Sequence, residues 1–500
     1  MIPTQIKKNY LLILILFFGT ILLSINLNKP FIGHHDWNGA FYSNFARNFV
    51  RYGFRETKLG SVQGSDLKSP ENFRYFTHYP PLLPILLSLS FKIFGISEAS
   101  ARLVPLLFSL GTISLIYFLS LKFFDLATAI SASVFSAVVP IMIYFGKMPV
   151  QEVLVLPLVL LSIYFYFNFV KNPNKVNFLK LIATLFLSHL TNWPGYYVSP
   201  LFFIHFLIFS KNEKKFWIAI VFPLFSVLMF LIYIAHLFWL TGNPFGGGLI
   251  DVFLFRLNLT DRPIDYTTLR FVKQQISFIS AYFTKPILLL TVITLIWTLI
   301  QIKNRRINKQ VQLILMLGIF GITHNVVFRN MAYIHDYMII YILPFLTLTA
   351  GYGFSIFTKS FRIFSPSINV GLVLILALSI LLQKRDFTSA LLSSEGFLSG
   401  VNLGKIINQE TVSGDKVLVL SPDFKRYFEV FTDFYADRSI EYQLTSQEEL
   451  AQKTIPAKYR LIIAIPSRDT PQSTVNFLQD RYQSYTMNEF VVFDTDEKKL

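Results

Sequence analysis

Twelve apolar runs, spaced along the first 383 residues, constrain this chain more than any other feature. They lie near 10–27, 82–95, 101–121, 126–145, 153–170, 177–192, 196–210, 216–240, 286–302, 311–328, 336–357 and 368–383. A membrane-spanning helix needs about 20 apolar residues, with roughly 17 the lower limit unless neighbours help. Only 15% of the residues are charged, where soluble domains carry about 25%. The 53 phenylalanines suit lipid-facing helices better than a compact soluble core. The expected fold class is an all-α polytopic membrane bundle.

Charge decides which runs span. Run 82–95 is short and begins at Pro80, Pro81 and Pro84. If it lies along the membrane and the N-terminus is cytoplasmic, the basic groups fall on the cytoplasmic side. These are Lys122, Lys171 with Lys175, Lys211 with Lys214 and Lys215, Lys303 with Arg305, Arg306 and Lys309, and Lys359 with Arg362. If it spans, every later cluster moves outside, against the positive-inside bias. Run 82–95 is therefore read as an interfacial helix, leaving about eleven transmembrane helices. Lys7 and Lys8 precede the first run and no small-residue cleavage site follows it, so an uncleaved first span is expected. The net charge of +16 is explained by this placement, and nucleic-acid binding is excluded for want of a solvated basic face with interleaved aromatics. With no cysteine, the chain has no disulfide, thiolate metal site or Cys nucleophile.

This topology divides the chain into a transmembrane domain, 1–383, with a first outer loop at 28–100, and an extracytoplasmic domain, 384–500. The latter changes composition. Lys416–Leu420, Tyr459–Ile465 and Glu489–Phe493 read as strands, whereas Phe424–Tyr435 and Ser446–Lys453 have helical spacing. Alternation of the two predicts a small α/β domain.

Ionisable groups beside lipid are costly and usually functional, so the carboxylates at the outer ends of spans are the candidate site. Asp36 follows the first span in Gly33-His34-His35-Asp36-Trp37-Asn38; its bland alternative is a solvated loop carboxylate or helix cap. His34 and His35 are adjacent, so their rings are expected to point apart and share no metal. Tyr42–Phe49 reads as an amphipathic interfacial helix ending at Gly53, and with the segment after His78 it makes a shelf framing Asp36. Glu152 and Asp336 each open a span, where a carboxylate also complements the helix dipole. Arg102 opens another on the outer side, against the charge trend, which points to an anionic partner such as a lipid phosphate. A carboxylate of this set can act as general base while cations hold a phosphate leaving group.

At these residues the chain resembles the GT-C class of membrane glycosyltransferases, in the branch of protein O-mannosyltransferases and the aminoarabinose transferase of lipid A. The matching elements are His35-Asp36, Ala46-Arg47-Asn48 through Gly53, and His78-Tyr79-Pro80-Pro81-Leu82. Further along come Phe94-Gly95 through Ala101-Arg102-Leu103, then Glu152, then His335-Asp336-Tyr337 with Leu343-Pro344. Two departures stand out: Tyr79 separates His78 from the Pro-Pro pair, and Trp37 replaces the second acid of an Asp-Glu pair. The resemblance implies inverting transfer from a polyprenyl-phosphate sugar donor to a lipid, glycan or protein acceptor at the extracytoplasmic face of the plasma (inner) membrane. It implies Asp36 as general base, with Glu152 and Asp336 orienting substrates or a divalent metal cation. Arg102 and His78 are expected to meet the lipid phosphate, and His35, His335 and Tyr337 to line the site. The rival reading is a transporter or flippase of lipid-linked saccharides, which would carry its charges within the spans and show inverted repeats.

Overall fold

The computed structural model describes residues 4–65, 69–260, 264–304, 306–360, 366–451 and 458–498. Arg305, Arg362 and the end of the expected helix at Lys453 lie outside the described residues. The chain forms two compact units that do not follow sequence order.

The first unit comprises Met1–Leu27, Thr77–Leu86 and Ala99–Leu392 and is helical. Among the described residues, six helices are long and apolar enough to cross a membrane: Glu98–Phe123, Gln151–Lys171, Lys215–Thr241, Lys285–Lys303, Lys309–Val327 and Asp336–Ser360. The most apolar of them, Lys215–Thr241, leaves Leu224, Leu228, Leu231 and Phe238 more than half exposed. An apolar exterior of this kind is the surface of a protein solvated by lipid. The chain is a multi-pass integral membrane protein. Helix Leu82–Phe94 has 13 residues, so at 1.5 Å per residue it reaches roughly 20 Å, short of the about 30 Å hydrocarbon thickness. The run expected as one span over 126–145 is broken into Leu126–Val138 and Pro140–Phe145. The cause is local, because Pro140 drives Val139 into extended backbone, with φ −73° and ψ 142°.

The buried centre of this unit is the pairing of Leu126–Val138 with helix Leu343–Ser360. A Cβ on Gly351 would lie 2.7 Å from the Ala132 backbone nitrogen, so only glycine permits this approach. Ser131 Oγ donates to the Gly351 carbonyl at 3.1 Å, and Ser136 Oγ to Thr347 Oγ1 at 2.8 Å. Small residues and hydroxyl bonds hold helices together where lipid supplies no hydrophobic drive.

The second unit joins Asn28–Phe76, Leu87–Glu98 and Ser393–Leu500. Helix Trp37–Glu56 breaks at Gly53, where the sequence marks its end. Asn48 on that helix donates to the carbonyls of Val62 and Gly64, both at 2.9 Å, and so seats the hairpin of β1 (Ser61–Gln63) and β2 (Arg74–Phe76). The other sheet contains β3 (Lys416–Val419), β4 (Ser439–Tyr442), β5 (Leu461–Ala464), β6 (Tyr482–Met487) and β7 (Phe490–Lys498), in the order β4-β3-β5-β7-β6. Strands β4, β3 and β5 run parallel, while β7 and β6 pair antiparallel. The three expected strands are the inner ones. The two edge strands escape a sequence reading because their half-exposed faces dilute the apolar signal. Helix Pro422–Ala436 covers the expected Phe424–Tyr435.

Candidate functional site

In the first unit the extended segment after Thr77 is pinned by three contacts. Thr77 Oγ1 donates to the Gly246 carbonyl at 2.9 Å, Tyr233 Oη donates to the Thr77 carbonyl, and Trp193 Nε1 donates to the His78 carbonyl at 3.2 Å. The turn opposite is built for this approach. Gly247 has φ +69°, and a Cβ there would fall 2.3 Å from Thr77 Oγ1. His78 Nε2 lies 3.1 Å from the Gly247 carbonyl. A carbonyl only accepts, so Nε2 is the donor in this contact. Burial, aided by the Arg256 charge, pushes the His78 pKa down.

Arg256, in the helix Leu249–Leu257, is only 4% exposed and stacks its guanidinium on Tyr79, 4.4 Å from the ring centroid. Burial pushes the Tyr79 phenol up to about 12, against the pull of Arg256. Among the described residues no carboxylate lies within ion-pair distance of Arg256, and its Nε has no hydrogen-bond partner. A buried charge is expensive unless paired. The Glu152 carboxylate feels the Arg256 charge from beyond ion-pair distance, which leaves a buried guanidinium with a donor to spare.

Glu152 opens helix Gln151–Lys171 and is 3% exposed. Asn192 Nδ2 donates to its Oε1 at 3.2 Å and lies 3.2 Å from Tyr341 Oη. The consecutive residues Asn192 and Trp193 thus tie Glu152 and His78 into one polar cluster. Among the described residues Glu152 stands in no group of three or more histidine or carboxylate ligands close enough to share an ion.

The remaining expected residues of this unit sit as follows. Asp336 opens the 3-10 helix Asp336–Ile342 and accepts a hydrogen bond from Tyr282 Oη. His335 precedes it, with its ring 5.2 Å from that of Tyr337, and Tyr337 packs 5.6 Å from Phe145. Arg102 donates to the carbonyls of Leu27 at 3.0 Å and Asn26 at 3.5 Å, just beyond the end of the first helix.

His35 and Asp36 belong to the second unit. Asp36 is 6% exposed, and its Oδ2 accepts from the Gly33 backbone N–H at 2.8 Å, closing the turn into helix Trp37–Glu56. The expectation that His34 and His35 point apart is corrected here: their ring centroids are 4.1 Å apart. The reason is the backbone of His35, whose φ of +59° is left-handed and swings its side chain back beside its neighbour.

The sequence reading missed Arg256, Asn192 and Trp193. The one local signal was Gly246-Gly247-Gly248 ahead of Arg256.

Residues 78–239, beginning at His78 and including Arg102, Glu152, Asn192 and Trp193, match the family model described as dolichyl-phosphate-mannose-protein mannosyltransferase. A protein of Aquifex aeolicus (strain VF5) is 57% identical over 51 residues, which is 10% of this chain and 12% of that relative. Among solved structures, ArnT from Cupriavidus metallidurans bound to undecaprenyl phosphate superposes with a TM-score of 0.63 at 14% identity, covering 97% of each chain. Its apo form gives 0.61. The oligosaccharyltransferase of Archaeoglobus fulgidus, tethered to an acceptor peptide, gives 0.53 at 13% identity, covering 96% of this chain and 73% of that one. The chain is a polytopic membrane protein that shares its fold with ArnT and the archaeal oligosaccharyltransferase, and its residues 78–239 match a mannosyltransferase family model.

Proposed function

We propose that this protein transfers a sugar from a polyprenyl-phosphate carrier to an acceptor on the extracytoplasmic face of the plasma membrane, with inversion at the anomeric carbon. The observation that carries the reading is Arg256, a buried guanidinium with no carboxylate partner among the described residues, stacked on Tyr79 beside His78. A lipid phosphate supplies the missing anion. The undecaprenyl phosphate bound to the ArnT structure supports that carrier class. In the proposed step an acceptor hydroxyl oxygen forms a bond to the anomeric carbon as the bond from that carbon to the phosphate oxygen breaks. The leaving lipid phosphate keeps the electron pair, and its charge is met by Arg256. Asp36, matched by sequence pattern to the acidic position of the resembled family, takes the hydroxyl proton. Glu152, held by Asn192, orients the substrate, as does Asp336. The extracytoplasmic orientation rests on the basic residues that close and open successive helices at Lys171 and Lys175, Lys303 and Lys309, and Lys359.

The test is to incubate purified protein with a panel of polyprenyl-phosphate sugars and follow release of the lipid phosphate. Release coupled to glycosylation of an acceptor supports the reading. Movement of intact lipid-linked sugar across a vesicle membrane without release overturns it in favour of a transporter.

A further inference from the structure

The second unit carries a half-open cavity of about 700 Å³ that the reaction above leaves without a role. Its size falls within the roughly 300–1,000 Å³ of small-molecule sites. One wall is aromatic. Trp37 stacks on Phe41 with centroids 4.3 Å apart, which fixes the indole while 36% of the residue stays open, and Phe73 also lines the space. The opposite chemistry comes from Asp433 and Glu429 on helix Pro422–Ala436, the latter paired with Lys425 at 3.6 Å, and from Glu71 and Arg74 on the hairpin.

Asn44 adds an independent sign of a ligand. It lines the cavity, is 4% exposed, and donates from Nδ2 to the Val430 carbonyl at 2.9 Å. That bond fixes the amide orientation, since the opposite flip would set two acceptors together. Its Oδ1 then has no donor among the described residues. Leaving a buried acceptor unpaired is costly, so a ligand hydroxyl or amine that donates there recovers the lost hydrogen bond.

We propose that this cavity binds a pyranose sugar, neutral or amine-bearing, with the face of its ring on Trp37 and its donors on Asn44, Glu429 and Asp433. Aromatic walls suit the apolar face of a sugar ring, carboxyl groups exchange hydrogen bonds with its hydroxyls, and a lining of three acidic side chains to one basic one among the described residues offers a uronate little to pair with. The inference rests on the glycosyltransferase reading only for its purpose, which is to hold the acceptor glycan. Binding itself requires no turnover.

The experiment uses full-length protein in nanodiscs and saturation-transfer NMR with the methyl glycosides of a hexose, a 2-amino-2-deoxyhexose and a hexuronic acid. The first two are expected to receive saturation, the amino sugar most because its ammonium can pair with Glu429, and the uronate least. Trp37→Ala is expected to weaken binding roughly two- to tenfold, the range of an aromatic contact, whereas Trp37→Phe retains most of it. Glu429→Gln, at a partly open carboxylate, is expected to remove the preference for the amino sugar. No binding of either favoured glycoside, equal uronate binding, or indifference to Trp37→Ala overturns the proposal. If Trp37→Ala does not accumulate, an unchanged preference in Glu429→Gln overturns it. Sugar binding without any release of lipid phosphate would instead sink the glycosyltransferase reading and leave the cavity assignment standing.

Discussion

The guanidinium carbon of Arg256 lies 4.4 Å from the ring centroid of Tyr79, and this contact puts a buried positive charge beside His78. Cation–π stacking returns only about 0.5–2 kcal/mol, less than the several kcal/mol that burying an ion costs. The Glu152 charge, which acts on Arg256 without an ion-pair contact, offsets part of the difference, and an anionic substrate in direct contact would offset more. Arg256→Ala is therefore expected to lower turnover of a polyprenyl-phosphate sugar roughly 10²–10³-fold without lowering the melting midpoint of the free protein. Arg256→Lys keeps the charge but loses the planar stack, and should fall between. A melting midpoint that drops in the alanine variant while turnover holds would make Arg256 a packing residue.

Asp36→Asn is expected to accumulate normally, since the amide oxygen can still accept from the Gly33 N–H. Loss of a positioned general base typically costs roughly 10²–10⁴-fold in rate. Steady-state release of lipid phosphate measures it, and near-wild-type turnover in the Asn variant removes Asp36 from the mechanism.

Arg47 is the polar centre of the second unit. It is 3% exposed, donates to the carbonyls of Asp433 and Phe434 at 2.8 and 3.1 Å, and pairs with Asp437 at 3.2 Å. Removing one partner of a buried pair costs about 3–5 kcal/mol, so Arg47→Met should sharply increase the proteolysis of segment 393–500. Unchanged cleavage kinetics would contradict the structural role.

Burial, reinforced by the charge of Glu429, pushes the Asp433 pKa up to about 7 from 3.8. The folded state thus holds a proton that the unfolded chain releases, and stability falls as pH rises from about 4 to about 7. Asp433→Asn is expected to raise the melting midpoint at pH 8 and to leave it unchanged below pH 4. A wild-type midpoint that increases between pH 4 and pH 7, with no gain in the variant, would show the opposite sign.

Orientation can be read by single cysteines, since the chain has none of its own. Gly146 is unsuitable, because a Cβ there meets the Met142 carbonyl at 2.4 Å, and Thr445 is buried. Ser65 and the exposed Gln443 should react with a membrane-impermeant thiol reagent in intact cells, and the exposed Asn212 and Asn304 only after permeabilisation. Labelling of 212 in intact cells would reverse the orientation and place the proposed chemistry on the cytoplasmic side.

The membrane character of the chain was legible in the sequence because a span is a local property, about 20 apolar residues that satisfy their own backbone hydrogen bonds. The same locality made Leu82–Phe94 readable as too short and located the inner strands of the second unit, whose side chains are buried on both faces. Glu152 and Asp336 stand out as candidates for a related reason, since a carboxylate beside a long apolar run is conspicuous in one dimension. Arg256 does not, because its interest lies in being buried, stacked and, among the described residues, without a carboxylate at ion-pair distance. Those conditions depend on a glycine turn 169 residues downstream of Thr77 closing onto it. Likewise, nothing in the order of residues shows that Asn44 and Val430, 386 apart, meet at the wall of one cavity. Periodicity and charge write themselves along the chain; the burial of a charge or of an unpaired acceptor is decided only when distant segments pack.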